Sequence, residues 1–191
     1  MASNATIFKA TVHISDMDRQ YYQDHAVTLA RHPSETDERM MVRLCAFALH
    51  AHEALSFGRG VSADEEPALW VKDLTGVIDI WIEVGQPHEK SIRQACGRAK
   101  QVYVYTYGGR GADQWWEKNL ATLERLDNLT VMNLPLEGSR ALAQLAHPSM
   151  ELQCTIQERH IWMTEGETTA HIELTIVKDA ASSFGKHNGT A

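Results

Sequence analysis

The segment Val77–Tyr107, VIDIWIEVGQPHEKSIRQACGRAKQVYVYTY, decides the fold class of this 191-residue chain. Val77–Val84 and Gln101–Tyr107 are rich in β-branched and aromatic residues, which predicts two strands. Pro87 and Glu89 are typical of a helix start, so a helix is expected between the strands. A strand–helix–strand order favours parallel strands, because the helix carries the chain back along the sheet. The segment therefore predicts an α/β domain.

The sequence on either side adds further helices and strands to this unit. Ser34 is a candidate N-cap, with Asp37 three residues later as in a capping box, and it predicts a helix to about Leu55. The turn residues Asp73–Gly76 predict a hairpin between Ala68–Val71 and the strand that follows. The other predicted elements are a hairpin of Ile7–Ile14 with Ala26–Ala30, a helix at Asp113–Leu126, a strand at Leu129–Leu134, a helix at Gly138–Ala146 and a meander of Leu152–Gln157, Ile161–Thr164 and Ala170–Val177. The expected fold is one mixed central sheet flanked by helices, with β hairpins at both chain ends.

Length and composition predict one domain. The chain is 43% hydrophobic and 23% charged, without repeats or linkers, so we expect a single domain at residues 1–179 and a flexible tail at 180–191. The cysteines Cys45, Cys96 and Cys154 form no CxxC pair, which indicates a reducing, cytoplasmic compartment. We expect no secretory signal and no membrane helix, because no apolar run approaches roughly 20 residues. A monomer is expected.

Charge is distributed unevenly along the chain. The formal net charge of −7 excludes a generally basic nucleic-acid coat protein. Between Ser62 and Glu89, seven acidic residues stand against one base, whereas between Lys90 and Arg125 seven bases stand against three acids. An acidic block followed by a basic one is typical of a metal site beside a phosphate-contacting surface. It is equally typical of two solvated faces of ordinary helices and strands.

Glu38 is the most informative residue for chemistry. It lies three positions before Met41 and seven before Cys45, so we expect it on the buried stripe of the first helix. A carboxylate that points into a sheet needs a cation or hydrogen-bond donors, because burial of an unpaired charge is costly. Glu38 is therefore either a metal ligand or catalytic acid, or an acid that the helix dipole and Arg39 or Arg43 stabilise.

Asp79 and Glu83 supply further acids on one face of a predicted strand. Their Cα atoms lie about 13 Å apart at ~3.3 Å per residue, so the two cannot easily hold one ion unaided. If the turn at Asp73–Gly76 sets the hairpin register, Glu66 lies roughly opposite Glu83. Trp70 then lies opposite Asp79. Directly opposed carboxylates are close enough to share a divalent ion, whereas the other interpretation is an exposed strand face with its acids in water.

Several long segments resemble the bacterial YaeQ family. They span essentially residues 5–178 and comprise Arg31–Thr36 (RHPSET), Glu38–Met41 (ERMM), Asp64–Pro67 (DEEP), Trp81–Pro87 (WIEVGQP), Tyr103–Tyr107 (YVYTY), Trp115–Trp116 and the hairpin Thr155–Trp162. That family is in turn similar to the PD-(D/E)XK nuclease superfamily. The resemblance implies a variant nuclease-like core of a helix, a β hairpin or meander, a helix and a further strand. It also implies a divalent ion held by a helix glutamate and two strand acids, with a lysine that orients the water.

The resemblance carries over only in part, residue by residue. It implies that Glu38 is the helix glutamate and that Glu83 is the (D/E) acid of the motif. Pro67 matches the proline, but Ala68 stands where the motif has Asp and Gly85 stands where it has Lys. The candidate replacements are Glu66 or Asp79 for the acid and Lys90, Arg93 or Lys100 for the base.

The expected function is a divalent-metal-dependent phosphodiesterase that acts on nucleic acid. An ion of this kind polarises a phosphate and lowers the pKa of a bound water. The expected ligands of Mg²⁺ or Mn²⁺ are Glu38, Glu66, Asp79 and Glu83. The expected catalytic residues are Glu38, Asp79, Glu83 and Arg93, and the expected substrate-binding residues are Lys90, Arg93 and Lys100. The alternative, favoured by Ala68 and Gly85, is an inactive protein on the same fold that binds nucleic acid or a protein partner.

Overall fold

Residues 4–59 and 65–181 are described by the computed structural model, and across these ranges the chain forms two mixed sheets and four helices. The elements are β1 (Thr6–Asp16), β2 (Tyr21–Arg31), α1 (Asp37–Leu49), β3 (Leu55–Phe57), β4 (Leu69–Lys72), β5 (Ile78–Val84), α2 (Glu89–Arg98), β6 (Ala99–Thr106), α3 (Arg110–Leu123), β7 (Leu129–Asn133), α4 (Leu136–Gln144), β8 (Ser149–Gln157), β9 (His160–Glu165), β10 (Thr168–Glu173) and β11 (Thr175–Lys178). Most of the tail predicted at 180–191 lies outside the described residues. None of the four helices is long and apolar enough to cross a membrane.

The first sheet has the strand order β10-β9-β8-β1-β2. Its N-terminal hairpin pairs antiparallel as predicted, with Ile7 opposite Ala30. β8 pairs parallel with β1, so the N-terminal hairpin and the C-terminal meander form one sheet. The predicted mixed α/β fold with β elements at both chain ends is confirmed, but these elements form a separate sheet together instead of flanking a single central one. Alternating buried residues of β1, such as Val12 and Ile14, turn one face of this sheet toward the core.

The second sheet has the strand order β11-β7-β6-β5-β4-β3. β5, β6 and β7 are parallel and are joined by α2 and α3, which confirms the predicted βαβαβ unit. The short strand β3 was not predicted. The strand predicted at Ala170–Val177 is interrupted at the buried Leu174, where the chain leaves β10 and continues as β11 in the second sheet.

The two sheets enclose a core in which α1 and α4 lie. Buried side chains of both sheets and of these two helices form one hydrophobic cluster. α2 and α3 cover the opposite face of the second sheet through a separate cluster that includes Trp81 and Ile92. The second sheet is thus covered on both faces, as is usual for parallel strands. The starts of α1 and α2 consequently approach the carboxyl ends of the parallel strands from opposite faces.

The first helix begins and ends at other residues than the sequence predicts. Its N-cap is Thr36, with an extended backbone and a side-chain Oγ1 that accepts the Arg39 N–H at 3.1 Å. The predicted cap, Ser34, instead makes a 2.6 Å hydrogen bond to the ring of His32. The helix ends at Leu49, well before Leu55, which belongs to β3.

The hairpin of β4 and β5 has a different register from the predicted one. The backbone N–H of Asp73 bonds to Val77 O, so the turn is one residue longer than expected. A bulge then leaves Asp79 without a ladder partner, and Trp70 pairs with Trp81. The predicted pairing of Trp70 with Asp79 is therefore wrong. Glu66 lies ahead of β4, outside the hairpin ladder.

Candidate functional site

A cavity of about 360 Å³ opens at the carboxyl ends of β5 and β6. Crevices at the carboxyl ends of parallel strands are the usual ligand sites of α/β sheets. The lining residues are Arg39 and Arg43 of α1; Gly58, Glu66, Pro67 and Ala68 ahead of β4; Glu83, Val84, Gly85, Gln86, Pro87, His88 and Ser91 from β5 to α2; and Tyr107 after β6. Four segments of the chain thus contribute polar side chains to one cavity, which is the candidate functional site.

Two arginines on one wall of the cavity share a single carboxylate. Glu35, which is only 6% exposed, accepts a hydrogen bond from Arg39 Nη1 at 2.7 Å. It also accepts from Arg43 Nε at 2.7 Å and Arg43 Nη2 at 2.8 Å. Arg43 Nη2 reaches the carbonyl of Ala30 as well. Because two guanidinium groups face one carboxylate, this wall carries one excess positive charge.

Sequence reasoning missed Glu35 and chose Glu38 instead. Glu38 is half-buried and does not line the cavity. It lies near Tyr107, whose pKa is raised by burial and, to a smaller extent, by the charge of Glu38. The four-residue spacing of Glu35, Arg39 and Arg43 could have indicated this cluster, because residues four apart are neighbours on one face of a helix. Glu35 precedes the helix, so the helical stripe did not include it.

Glu83 is a half-buried acid of the cavity. Its Oε1 accepts a hydrogen bond from Trp81 Nε1 at 2.8 Å. Burial raises the pKa of Glu83 to about 7, although the hydrogen bond from Trp81 and the charge of Arg39 act in the opposite direction. Near pH 7, Glu83 is therefore only partly ionised and does not fully balance the excess positive charge. A carboxyl group with such a raised pKa in a cleft is a recognised mark of functional sites.

Glu66 lines the same cavity as Glu83, from the loop ahead of β4. Its Oε2 accepts the backbone N–H of Arg59 at 2.8 Å, and its Oε1 lies 3.5 Å from the Arg59 Nε. The structure therefore brings Glu66 and Glu83 to one cavity, although the hairpin ladder does not pair them. The Glu66 carboxylate has its own cationic partner, so it leaves the excess charge near Arg39 unbalanced.

The other candidate residues lie outside the cavity. Asp79, at the β5 bulge, pairs with Lys100 at 2.6 Å. Arg93 pairs with Glu89, one turn earlier on α2, at 2.5 Å. Lys90 is exposed on the same helix. None of the basic residues expected to replace the motif lysine lines the cavity.

The described residues do not fit the three-acid metal centre that the family resemblance implies. In residues 4–59 and 65–181, no three or more His, Cys, Asp or Glu side chains are grouped so that they could hold a metal ion. Only Glu66 and Glu83, of the four expected ligands, line the cavity. Gly85 has φ +98°, a conformation that L side chains rarely adopt, so a lysine at this position would strain the backbone.

The geometry is suited to an anionic ligand. Arg39 and Arg43 supply guanidinium groups, which match the oxygens of phosphates and carboxylates. The first turn of α2 faces the same cavity through His88 and Ser91, and no side chain caps its free N–H groups. Helix N-termini of this kind favour anions because of their free N–H groups and dipole.

Comparison with known proteins identifies relatives along almost the whole chain. The YaeQ protein family profile matches residues 1–174. The YaeQ protein of Escherichia coli (strain K12) is 43% identical over 175 residues, covering 92% of this chain and 97% of the relative. The YaeQ protein of Salmonella typhi shows the same identity and coverage.

Two solved structures are similar throughout. The crystal structure of the YaeQ protein from Xanthomonas axonopodis pv. citri superposes with a TM-score of 0.89 at 43% identity, covering 93% of this chain and 99% of that one. The crystal structure of the YaeQ protein from Pseudomonas syringae has a TM-score of 0.88 at 32% identity, covering 93% and 98% of the two chains. With the family profile, these relatives show that the chain is a member of the YaeQ family.

Proposed function

We propose that the cavity binds a phosphate group of nucleic acid, on a nuclease-like fold without the metal centre of the nucleases. The observation that carries this proposal is the sharing of Glu35 by Arg39 and Arg43. A partly buried positive charge without a full counter-charge attracts an anion, because a low-dielectric wall screens it poorly. Phosphate oxygens match the planar fork of the guanidinium group.

The position of the cavity supports the same ligand class. The uncapped N-terminus of α2 and the carboxyl ends of β5 and β6 border the cavity opposite the two arginines. A phosphate there would receive backbone N–H groups from one side and guanidinium groups from the other. Neither contribution requires a metal ion.

Nucleic acid enters the proposal through the similarity to the PD-(D/E)XK nucleases. The order α1, the β4–β5 hairpin, α2 and β6 corresponds to the helix, hairpin, helix and strand of that superfamily core. The resemblance also assigns Glu83 to the (D/E) acid of the motif. We therefore propose that the fold is a variant of this core and that the phosphate belongs to a DNA or RNA chain.

Fluorescence anisotropy with labelled single- and double-stranded DNA and RNA tests the proposal at low salt and pH 6. We expect binding of at least one of these ligands, and we expect Arg39→Ala to weaken it roughly tenfold or more, because a charge-assisted hydrogen bond contributes ~1.5–3 kcal/mol. Arg125→Ala is the matched control, since Arg125 is exposed beyond the end of α3 and also removes one charge. Equal weakening in both variants, or no binding to any ligand, would contradict the proposal.

A metal-dependent phosphodiesterase is the second candidate, because Glu66 and Glu83 line the same cavity. Calorimetric titration with Mg²⁺ and Mn²⁺ tests it, with Glu83→Ala compared with the wild type and Asp79→Ala as the acidic control outside the cavity. Heats that only Glu83→Ala abolishes would support an ion at the cavity. Equal heats in all three proteins would remove this candidate. Cleavage assays on the same oligonucleotides then separate an enzyme from a binding protein.

A further inference from the structure

β2 is an edge strand that is open to a further strand. It ends the first sheet, and its pairing with β1 runs without a bulge over all eleven residues, Tyr21–Arg31. Natural sheets usually protect such an edge with proline, lysine or a bulge, because its unpaired N–H and C=O groups bind other strands. β2 contains no proline and no lysine. Its edge therefore lacks these three protections.

The hydrogen bonds of the first sheet show which backbone groups of β2 point away from β1. In β1, the N–H of Lys9 donates to Pro148 O, next to β8, at 2.9 Å. The N–H of Met17, just after β1, donates to Ile156 O of β8 at 2.9 Å. Since consecutive residues of a strand point these groups to opposite sides, the odd-numbered residues of β1 face β8 and the even-numbered ones face β2. The even-numbered residues of β1 pair with odd-numbered residues of β2, so the even-numbered residues of β2 direct their backbone groups outward.

The middle of β2 thus offers free backbone groups at this edge. Within residues 4–59 and 65–181, no hydrogen bond engages the backbone N–H and C=O groups of Tyr22, Asp24, Ala26 and Thr28. Ala30 belongs to the same series, and its carbonyl accepts from Arg43 Nη2 at 3.2 Å, which agrees with the outward direction. The edge therefore presents alternating donors and acceptors at the spacing that a paired strand needs.

A groove with an aromatic floor lies beside this edge. It has a volume of about 290 Å³ and separates β2 from β3, which is itself the edge strand of the second sheet. The ring of Phe47 lies parallel to that of Phe57 at 5.6 Å and meets the ring of His25 edge to face at 5.3 Å. The groove between the two sheet edges can therefore take an apolar side chain.

Glu53 gives this groove a negative charge. Its side chain is exposed at the groove and has no ion-pair partner in the part of the chain that the structure describes. Among the described residues that line the groove there is no lysine or arginine. Arg43 lies over the Phe57 ring, but its guanidinium is bound by Glu35. The chain as a whole carries a formal charge of −7, which attracts cationic partners over longer distances.

We propose that the β2 edge and this groove form a docking site for an extended, cationic segment of a partner protein. The segment would add a strand to the first sheet, and its backbone would pair with the free groups of β2. Every second side chain of such a strand faces the groove. An apolar side chain there would contact Phe47 and Phe57, and a lysine two residues along would approach Glu53. The groove shares no lining residue with the cavity of the proposed function, so the two proposals fail separately.

The first test follows amide hydrogen exchange by NMR in the wild-type protein alone. Between Tyr22 and Thr28, the odd-numbered residues bond to β1, so the even-numbered ones should exchange at least about tenfold faster. Slow exchange at all of these residues would mean that the edge is already covered, and would overturn the proposal. Protection of the even-numbered residues that grows with protein concentration would also overturn it, because a second copy of the chain would then occupy the edge.

The second test adds a capped probe peptide, TVTKTVT, at pH 7.5, where histidine in water is mostly neutral. Its valines and its lysine share one face of an extended strand. We expect saturable binding that slows the exchange of the even-numbered residues of β2 at least about tenfold. The matched peptide TVTETVT should bind severalfold more weakly, because its glutamate meets Glu53. No protection by TVTKTVT at millimolar concentration, or equal binding of the two peptides, would overturn the proposal.

A substitution at Ala26 tests the backbone pairing. Ala26→Pro removes an outward N–H and keeps the hydrogen bonds to β1, so TVTKTVT should bind about fivefold more weakly or worse. Ala26→Val is the matched control, because valine has as many side-chain carbons as proline and keeps the N–H. Equal affinities of the two variants would overturn the pairing. The wild-type exchange data test the same backbone groups without any substitution.

A substitution at Glu53 tests the choice of a cationic partner. Glu53→Gln should bring the affinities for TVTKTVT and TVTETVT within about twofold of each other, because the charge that distinguishes them is gone. Glu167→Gln is the control, since Glu167 is exposed in the turn from β9 to β10, at the opposite edge of the first sheet, and it should keep the difference. A preference for lysine that persists in Glu53→Gln would overturn the assignment of the cationic contact to this groove.

Discussion

Glu35 is a buried carboxylate that holds two arginines of the cavity wall in place. It is buried, it precedes the helix that carries its partners, and it joins Arg39 and Arg43. A buried carboxylate with two guanidinium partners has its own charge well satisfied. Within residues 4–59 and 65–181, Glu35 is the one carboxylate that hydrogen-bonds to either arginine, so the cavity wall depends on it for both its shape and its charge.

We predict that Glu35→Gln lowers the free energy of unfolding by about 3 kcal/mol, because the change leaves buried Arg43 without its anionic partner. Urea denaturation measures the loss. Glu38→Gln is the control, since Glu38 is half-buried on the first turn of α1, and it should cost less than about 1 kcal/mol. Equal losses in the two variants would show that Glu35 has no special structural role.

Glu83 gives the stability of the protein a defined pH dependence. Its pKa is about 7 in the folded protein, above the ordinary 4.5, so between these values the folded chain binds more protons than the unfolded chain. Stability therefore falls as pH rises through this window, by about 3 kcal/mol in total. We predict that this fall between pH 5 and 8 is absent in Glu83→Gln. Urea unfolding at several pH values measures the difference, and parallel pH profiles of the two proteins would refute the prediction.

At the scale of elements, the turn from β5 to α2 depends on the backbone conformation of Gly85. Gly85 follows the last residue of β5, has φ +98° and donates its N–H to Tyr105 O at 2.8 Å. This backbone conformation redirects the chain from the strand toward the start of α2. A side chain at this position strains the backbone whatever space surrounds it.

We predict that Gly85→Lys destabilises the protein by about 1–3 kcal/mol, because lysine rarely adopts this positive φ. Gly97→Lys is the matched control, because Gly97 lies in α2 with open space around it and no positive φ. That change should be neutral or stabilising by up to ~1 kcal/mol, since glycine is a poor helix former. Thermal unfolding of both variants measures the contrast, and a Gly85→Lys protein as stable as the wild type would contradict the strain argument.

Local sequence patterns predicted the elements better than their ends. The βαβαβ order follows from hydrophobic periodicity, which burial on both faces of a sheet enforces. The cap of α1 was misplaced because Ser34, Thr36 and Asp37 are all good capping residues, and only the backbone path selects Thr36. The predicted hairpin register is wrong because the turn is one residue longer than expected and a bulge follows it, so every later pair is shifted. Residue types alone indicate neither the longer turn nor the bulge.

At the scale of the whole molecule, the net charge of the chain is opposite in sign to the charge of the cavity wall. The chain carries a formal charge of −7, yet one wall of its cavity has an excess positive charge. An anionic polymer would therefore meet a protein of net negative charge, with local attraction at this cavity. Binding of this kind engages few phosphates, unlike binding along a basic stripe.

We predict a shallow salt dependence for the proposed nucleic-acid binding. With roughly one or two phosphates neutralised, the slope of log K against log salt should be about −1 to −2. Anisotropy titrations over a range of salt concentrations measure the slope. A slope near −6 would indicate an extended basic surface and would contradict a single-phosphate site.

The sequence by itself determined the order of the βαβαβ unit, the helical placement of Arg39 and Arg43, and Glu83 on a strand of that unit, because these depend on local periodicity. Only the tertiary structure decided that β8 joins β1, that Glu35 pairs with both arginines, and that Asp79 turns to Lys100. These contacts join segments whose spacing in the chain carries no information about their distance in space. The fold forms the contacts that bury the most apolar area and leave the fewest charges unpaired. Those two quantities depend on the packing of the whole chain and not on any one segment.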